Sequence, residues 1–226
     1  MITDKKQRNE KGQKGRIFAI GDIHGCNDEI RKLLTLINPD PLTDAVVFLG
    51  DYIDRGPDSR GVIDTILDFK GTFPNTICLR GNHEEMFLDS YLNEQNVDLY
   101  LYNRGASTLY SYGISINDFP AVKFLPEEHL DFFTNLPLYY ETEDYLFVHA
   151  GLRPGLSLAK QSLEDLLWIR DEFINSRWNF GKTVIFGHTP LAEPLIEKNK
   201  IGIDTGAVYG GYLTCLELPS LKIVQV

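Results

Sequence analysis

The chain has 226 residues, with 22 Lys and Arg against 32 Asp and Glu and a net charge of −10. Hydrophobic residues at 43% and aromatics at 12% exclude a disordered chain. No apolar run approaches the ~18 residues of a membrane helix, and the acidic balance argues against nucleic acid as a partner. Three cysteines without metal-type pairing (Cys26, Cys78, Cys215) fit a reduced, cytoplasmic protein.

Residues 1–15 are charged, lack apolar periodicity, and read as a tail rather than a secretory signal. From Arg16 onward strands and helices alternate. Ile17–Ile20 is a short apolar strand ending at Gly21-Asp22. Asn27 is placed to cap a helix whose Ile30, Leu33, Leu34 and Ile37 share one face. Ala45–Leu49 is a second strand ending at Gly50-Asp51. A helix over about 59–69 presents Val62, Ile63, Ile66 and Leu67, and Thr76–Leu79 is a third strand ending at Arg80-Gly81-Asn82-His83. This β-α-β-α-β order predicts an α/β fold with a parallel sheet. Residues 84–136 lose that rhythm and are helical and aromatic-rich. Strands return at 138–141, 145–149 and 183–187. Hairpins then pair 194–197 with 201–204 and 213–218 with 221–226.

The chemistry gathers where strands end. Asp22 and His24, Asp51, Asn82 and His83, His149 and His188 all follow predicted strands, four of the five histidines among them; only His129 stands apart. Ligands of open α/β sheets bind at the carboxyl ends of strands. Carboxylate, imidazole and amide oxygen together suit Mn²⁺, Fe²⁺ or Zn²⁺. So many ligands are too many for one ion and suit two ions sharing a carboxylate, the arrangement that clamps an in-line displacement at phosphorus. Other phosphatase chemistries fail: no Cys-x5-Arg and no Asp-x-Asp-x-Thr/Val is present.

Five elements carry a family resemblance: Gly21-Asp22-Ile23-His24-Gly25, Gly50-Asp51-Tyr52-Ile53-Asp54-Arg55-Gly56, Leu79-Arg80-Gly81-Asn82-His83-Glu84, His149-Ala150-Gly151 and Gly187-His188-Thr189. With them the sequence resembles the calcineurin-like metallophosphoesterases, and within these the compact bacterial and phage phosphoprotein phosphatases. The resemblance covers residues 16–226. It implies a single domain, a β-sandwich of mixed sheets flanked by helices, with a helical cap-like insertion over about 90–136. It implies two divalent ions, Mn²⁺ first, with Fe or Zn as alternatives. Asp22 and His24 would hold one, Asp51 would bridge, and Asn82, His149 and His188 would hold the other. His83 would be the general acid, oriented by Asp54. Arg55 and Arg170 would clamp phosphate oxygens, with Asn82 also at the substrate. An ion pair with Asp171 and Glu172 is the competing reading of Arg170. Two features depart from the eukaryotic pattern: Ala150 replaces a glycine, and residues 204–209 replace the Ser-Ala-Pro-Asn-Tyr loop, leaving Tyr209 either packed or leaning over the site.

The expected activity is hydrolysis of a phosphomonoester by a hydroxide bridging the two ions. The protein would be a serine/threonine protein phosphatase, and the aromatic content adds phosphotyrosine as a further substrate. Asp54 favours this reading over a symmetrical dinucleoside tetraphosphate hydrolase, because those enzymes typically carry Ala there; the Gly56-Pro57-Asp58-Ser59 continuation leans the other way. The third reading is an inactive metal-binding scaffold. The expected protein is a monomer that takes a phosphoprotein or small phosphoester and has no membrane partner. Tyr91, Tyr100, Tyr102, Tyr110, Tyr112, Phe119 and Phe124 are assigned to core packing first and to a cap over the site second.

Overall fold

The computed structural model describes residues 15–226, so the expectation for the N-terminal tail lies outside the described residues but for Gly15. The first half follows the predicted rhythm: β1 (Ile17–Ile20), α1 (Asn27–Ile37), β2 (Ala45–Phe48), α2 (Ser59–Thr72), β3 (Thr76–Cys78). β1 pairs parallel with β2, and β2 with β3. The C-terminal hairpin, β9 (Thr214–Leu218) and β10 (Lys222–Gln225), adds antiparallel to β1, giving the order β10-β9-β1-β2-β3. A second mixed sheet is built from β4 (Tyr139–Glu141), β5 (Tyr145–Val148), β6 (Thr183–Phe186), β7 (Leu195–Ile196) and β8 (Lys200–Gly202), in the order β4-β5-β6-β8-β7. The predicted parallel sheet is thus one half of a two-sheet sandwich.

The period-2 alternation of strand side chains builds the layers. Phe18, Ile20, Val46 and Phe48 pack into the cluster that contains Ile30 and Leu33 of α1 and Val62 and Ile66 of α2. Their neighbours Ala19, Val47 and Leu49 face Phe147, Ile185 and Ile201 of the second sheet. Leu146, Val148, Val184 and Phe186 point outward to Leu166 of α7 (Leu163–Trp168) and Phe173 of α8 (Asp171–Ile174). Strands buried on both faces read as unbroken apolar runs, which is why the sequence displays them so clearly. Among the described residues no helix is long and apolar enough to cross a membrane.

The helical insertion comprises α3 (Asn82–Asn93), α4 (Val97–Tyr102), α5 (Ala106–Ser111) and α6 (Glu127–Thr134). Tyr91, Tyr100 and Phe119 are buried in the first cluster, and Tyr112 and Phe124 pack by ring contact, so most of its aromatics are core. Tyr102 and Tyr110 are the exceptions, at 84% and 63% exposure, and Tyr102 lies on the site side. One local reading needs correction: Asn27 does not cap α1. The cap position is Cys26, and the Asn27 side chain donates to Asp58 at 2.8 Å and accepts from Thr65 at 2.8 Å, tying α1 to α2.

Candidate functional site

Six strand ends meet at one place. Asp22 and His24 follow β1, Asp51 follows β2, Asn82 and His83 open α3 after β3, His149 follows β5, His188 follows β6 and Asp204 follows β8. All are buried. The turns that bring them together are strained: His24, Asp51, Asp54, Arg55 and His188 all have positive φ, from 46° to 70°. Non-glycine residues in that region cluster at functional sites. Gly50, at φ 105°, closes the β2 loop, where a Cβ would lie 2.6 Å from the Gly81 nitrogen. Backbone loops approach that closely only because a glycine stands there.

Two triads of ligand-capable atoms, each mutually within 4.8 Å, share Asp51: His24, Asp51 and His83, and Asp51, His149 and His188. Asn82 Oδ1 lies 2.9 Å from His149 Nε2 and 2.8 Å from His188 Nδ1, so it joins the second group. His149 Nδ1 faces the Leu49 carbonyl at 2.9 Å and His24 Nδ1 faces the Ile53 carbonyl at 2.9 Å, which leaves the Nε2 of each for a ligand role. Asp22 is outside both triads; its carboxylate accepts the His188 backbone N–H at 3.0 Å. Burial lowers His24 to about 3 and His188 to about 2, and lowers His149 as well. The neutral imidazole, with a free lone pair, is the form that ligates metal. Burial disfavours the charged form of Asp51 too, but the surrounding His149, His83 and His24 outweigh it and hold Asp51 well below the usual carboxylate range. A buried carboxylate, neutral imidazoles and an amide oxygen fit two divalent ions.

His83 differs from the other histidines. Its Nδ1 lies 2.6 Å from Asp54 Oδ2, both side chains are fully buried, and its Nε2 has no partner. Burial works against its charge, but Asp51 and the hydrogen-bonded Asp54 raise it above the ordinary histidine value. Asp54 Oδ1 accepts from Thr108 Oγ1 at 2.6 Å and Tyr100 Oη at 2.9 Å. At the first triad, Arg55 Nη1 sits 2.8 Å from His24 Nε2 and its guanidinium lies 5.6 Å from the Tyr209 ring. At the second, Arg170 is exposed and donates weakly to Thr189 Oγ1 at 3.5 Å. The competing ion pair with Glu172 is taken by Arg153, whose Nη1 lies 2.8 Å from Glu172 Oε1.

Two clefts border the centre. One, of about 390 Å³, is lined by Arg55, Arg104, Tyr102 and Tyr209, next to His24. The other, of about 250 Å³, is lined by Arg153, Arg170 and Trp168, whose ring meets His188 edge-on at 6.0 Å.

Sequence reasoning missed Glu84, Asp204, Tyr100 and Thr108. Glu84 is buried and accepts from the backbone nitrogens of Asp51 at 2.8 Å, Tyr52 at 2.9 Å and Gly81 at 2.9 Å. Asp204 accepts from the Gly206 nitrogen at 3.0 Å; burial, with Asp51 adding to it, pushes Asp204 up to about 6. Glu84 closes the Gly81-Asn82-His83-Glu84 element and could have been read from it; Tyr100 and Thr108 carry no local signal.

The family profile described as calcineurin-like phosphoesterase matches residues 15–216. The chain is 34% identical over 213 residues to serine/threonine-protein phosphatase 1 of Salmonella typhimurium, covering 92% of this chain and 94% of that one. It is 28% identical over 231 residues to an asymmetrical bis(5'-nucleosyl)-tetraphosphatase of Anoxybacillus flavithermus, covering 92% of each. A solved structure provisionally described as a diadenosine tetraphosphatase superposes with a TM-score of 0.72 at 25% identity, over 94% of this chain and 93% of the other.

Proposed function

Because the chain belongs to the calcineurin-like phosphoesterase family, we propose that its dinuclear-metal site hydrolyses dinucleoside tetraphosphates, asymmetrically. The observation that carries this reading is the pair of clefts, one at each triad, each with an arginine toward the centre and an exposed aromatic ring. A two-ended nucleotide needs cationic groups for a long phosphate chain and a π-face for each base. The clefts are unequal, and the relative from Anoxybacillus flavithermus is an asymmetrical enzyme. That relative favours unequal products over symmetrical cleavage, which the sequence offered only as the alternative to a protein phosphatase. Asp54 loses its weight as a discriminator: it holds His83 whichever oxygen leaves.

Asp22, His24 and Asp51 would hold one ion, and Asp51, Asn82, His149 and His188 the other. Bound divalent ions supply a nucleophile at neutral pH and neutralise charge on the transferring phosphoryl group. Asp51 and Asp54 raise His83 above the ordinary histidine value and so favour its protonated form; the proton passes from Nε2 to the leaving oxygen while Asp54 holds Nδ1. Arg55 and Arg170 bind phosphate oxygens in forked geometry, as a guanidinium does best. The donor set suits Mn²⁺ first, and three buried free thiols suit the reducing cytoplasm. Residues 16–226 act as one catalytic unit, a monomer.

The test compares kcat/KM for diadenosine tetraphosphate and a phosphothreonine peptide in one preparation stripped of metal and reloaded with Mn²⁺. Preference for the dinucleotide, with ATP and AMP as products, is expected. ADP alone would restore the symmetrical reaction. Preference for the peptide would install the second reading, a serine/threonine protein phosphatase, which the 34% identity to the Salmonella typhimurium phosphatase favours.

A further inference from the structure

The carboxylate of the general acid's partner is held by two residues of the helical insertion. Asp54 sits at φ 70°, a conformation that a non-glycine residue keeps only when its surroundings impose it. Its backbone nitrogen donates to Ser59 Oγ at 3.0 Å and Thr108 Oγ1 at 2.9 Å. Ser59 Oγ and Thr108 Oγ1 are themselves 2.9 Å apart, so Ser59 can donate to Thr108 while Thr108 donates to Asp54 Oδ1. Tyr100 donates to the same Oδ1. Oδ2 is thereby left to His83.

Every group in this array is fully buried. Burial and the neighbouring Asp54 push the Tyr100 phenol well above its usual value, so it serves only as a donor toward the carboxylate. Gly105 lets the chain close on Tyr100: a Cβ there would run into the phenol ring. With both Asp54 oxygens and its backbone nitrogen satisfied in this way, the buried network fixes one geometry for the carboxylate.

We propose that Tyr100 of α4 and Thr108 of α5 are positioning residues that lock the Asp54 carboxylate and through it the His83 ring. The proposal rests on the reading of His83 as proton donor. The proton moves from His83 Nε2 to the departing oxygen as the P–O bond breaks. Two hydroxyls on Oδ1 keep Oδ2 from rotating away from Nδ1 during that step. The aromatic insertion thus serves catalysis from inside the core as well as through Tyr102 at the cleft.

Leaving-group dependence separates this role from general support of the fold. Phenyl phosphate expels a leaving group about as basic as a tyrosine side chain, with pKa about 10, and needs the proton; 2,4-dinitrophenyl phosphate expels a weakly basic one and does not. With Mn²⁺ loaded, Tyr100→Phe should lower kcat for phenyl phosphate about tenfold, with a much smaller loss for the dinitrophenyl ester and little change in KM. Thr108→Val should do the same, and Thr108→Ser should restore the wild-type ratio. Equal losses on both esters, or none on either, would overturn the proposal.

A second readout needs no turnover. In metal-free protein the His83 Nδ1 proton, held 2.6 Å from Asp54, should give a downfield, slowly exchanging NMR signal. Tyr100→Phe combined with Thr108→Val should broaden or move it, and an unmoved signal would overturn the proposal. His83→Asn run alongside distinguishes the two failures. If it shows no leaving-group dependence, the proton-donor reading falls, and the positioning role is decided by the NMR signal alone.

Discussion

Glu84 Oε2 lies 2.8 Å from the Asp51 backbone nitrogen, so a carboxylate on α3 pins the loop after β2. Asp51 is the residue that both ligand triads share. Burial, with Asp51 adding to it, pushes Glu84 up to about 8, and Glu84→Gln keeps the shape but puts an amide NH2 where one carboxyl oxygen now accepts from backbone N–H groups. A buried N–H left without its acceptor costs about 1–3 kcal/mol. The variant is expected to lose about 2 kcal/mol of stability in urea denaturation and to bind both ions more weakly. Unchanged metal affinity would show that the Asp51 loop holds its place without Glu84.

His83→Asn is expected to lower kcat about 10²–10⁴-fold, the usual contribution of a general acid. Metal stoichiometry should stay at two ions, because the proton-donor reading commits Nε2 to the leaving oxygen and Nδ1 to Asp54. His83 nonetheless falls within the triad of His24 and Asp51. Loss of an ion in metal analysis of the variant would make it a ligand instead.

The depressed pKa values set a pH prediction. With His24 at about 3 and His188 at about 2, both rings stay neutral as the pH falls from 8 to 5 in metal-free protein. An exposed histidine would take up its proton near pH 6.5 over that range. Imidazole resonances of these two residues should therefore not move in an NMR titration. A midpoint near 6.5 would show that burial does not hold them neutral, and Mn²⁺ binding would then weaken with acid.

Tyr209 is 61% exposed beside Arg55 in the larger cleft. Base–aromatic stacking is worth about 1–3 kcal/mol, so Tyr209→Ala should raise KM for diadenosine tetraphosphate about tenfold. The effect on phenyl phosphate, which has no base, should be much smaller. An equal effect on both would remove the stacking role.

Much of the sandwich was legible because its strands are buried on both faces. Runs such as Ala45–Phe48 have no polar residue to blur their limits, and each ends in a glycine-containing turn. The six expected metal ligands are all buried, and all but Asp22 fall into or against the two triads; Asp22 contacts the His188 backbone instead. Asn27 misled because a capping side chain and a helix-to-helix bridge use the same residue type, and only the position of Asp58 decides between them. Arg170 likewise needed the fold, since Arg153 reaches Glu172 from 19 positions away.

By itself the sequence determined the strand ends and the ligand types placed on them, because both are local: apolar runs stop at turns, and the turns carry Asp, His and Asn. It also determined the family, through five such elements in order. Only the tertiary structure decided what surrounds them. Tyr100 and Thr108 reach Asp54 across 46 and 54 positions, and Asp204 joins the centre only because β8 lies beside β6. Hydrogen bonds between residues that far apart leave no periodicity or spacing in the chain, since they are set by how the layers pack.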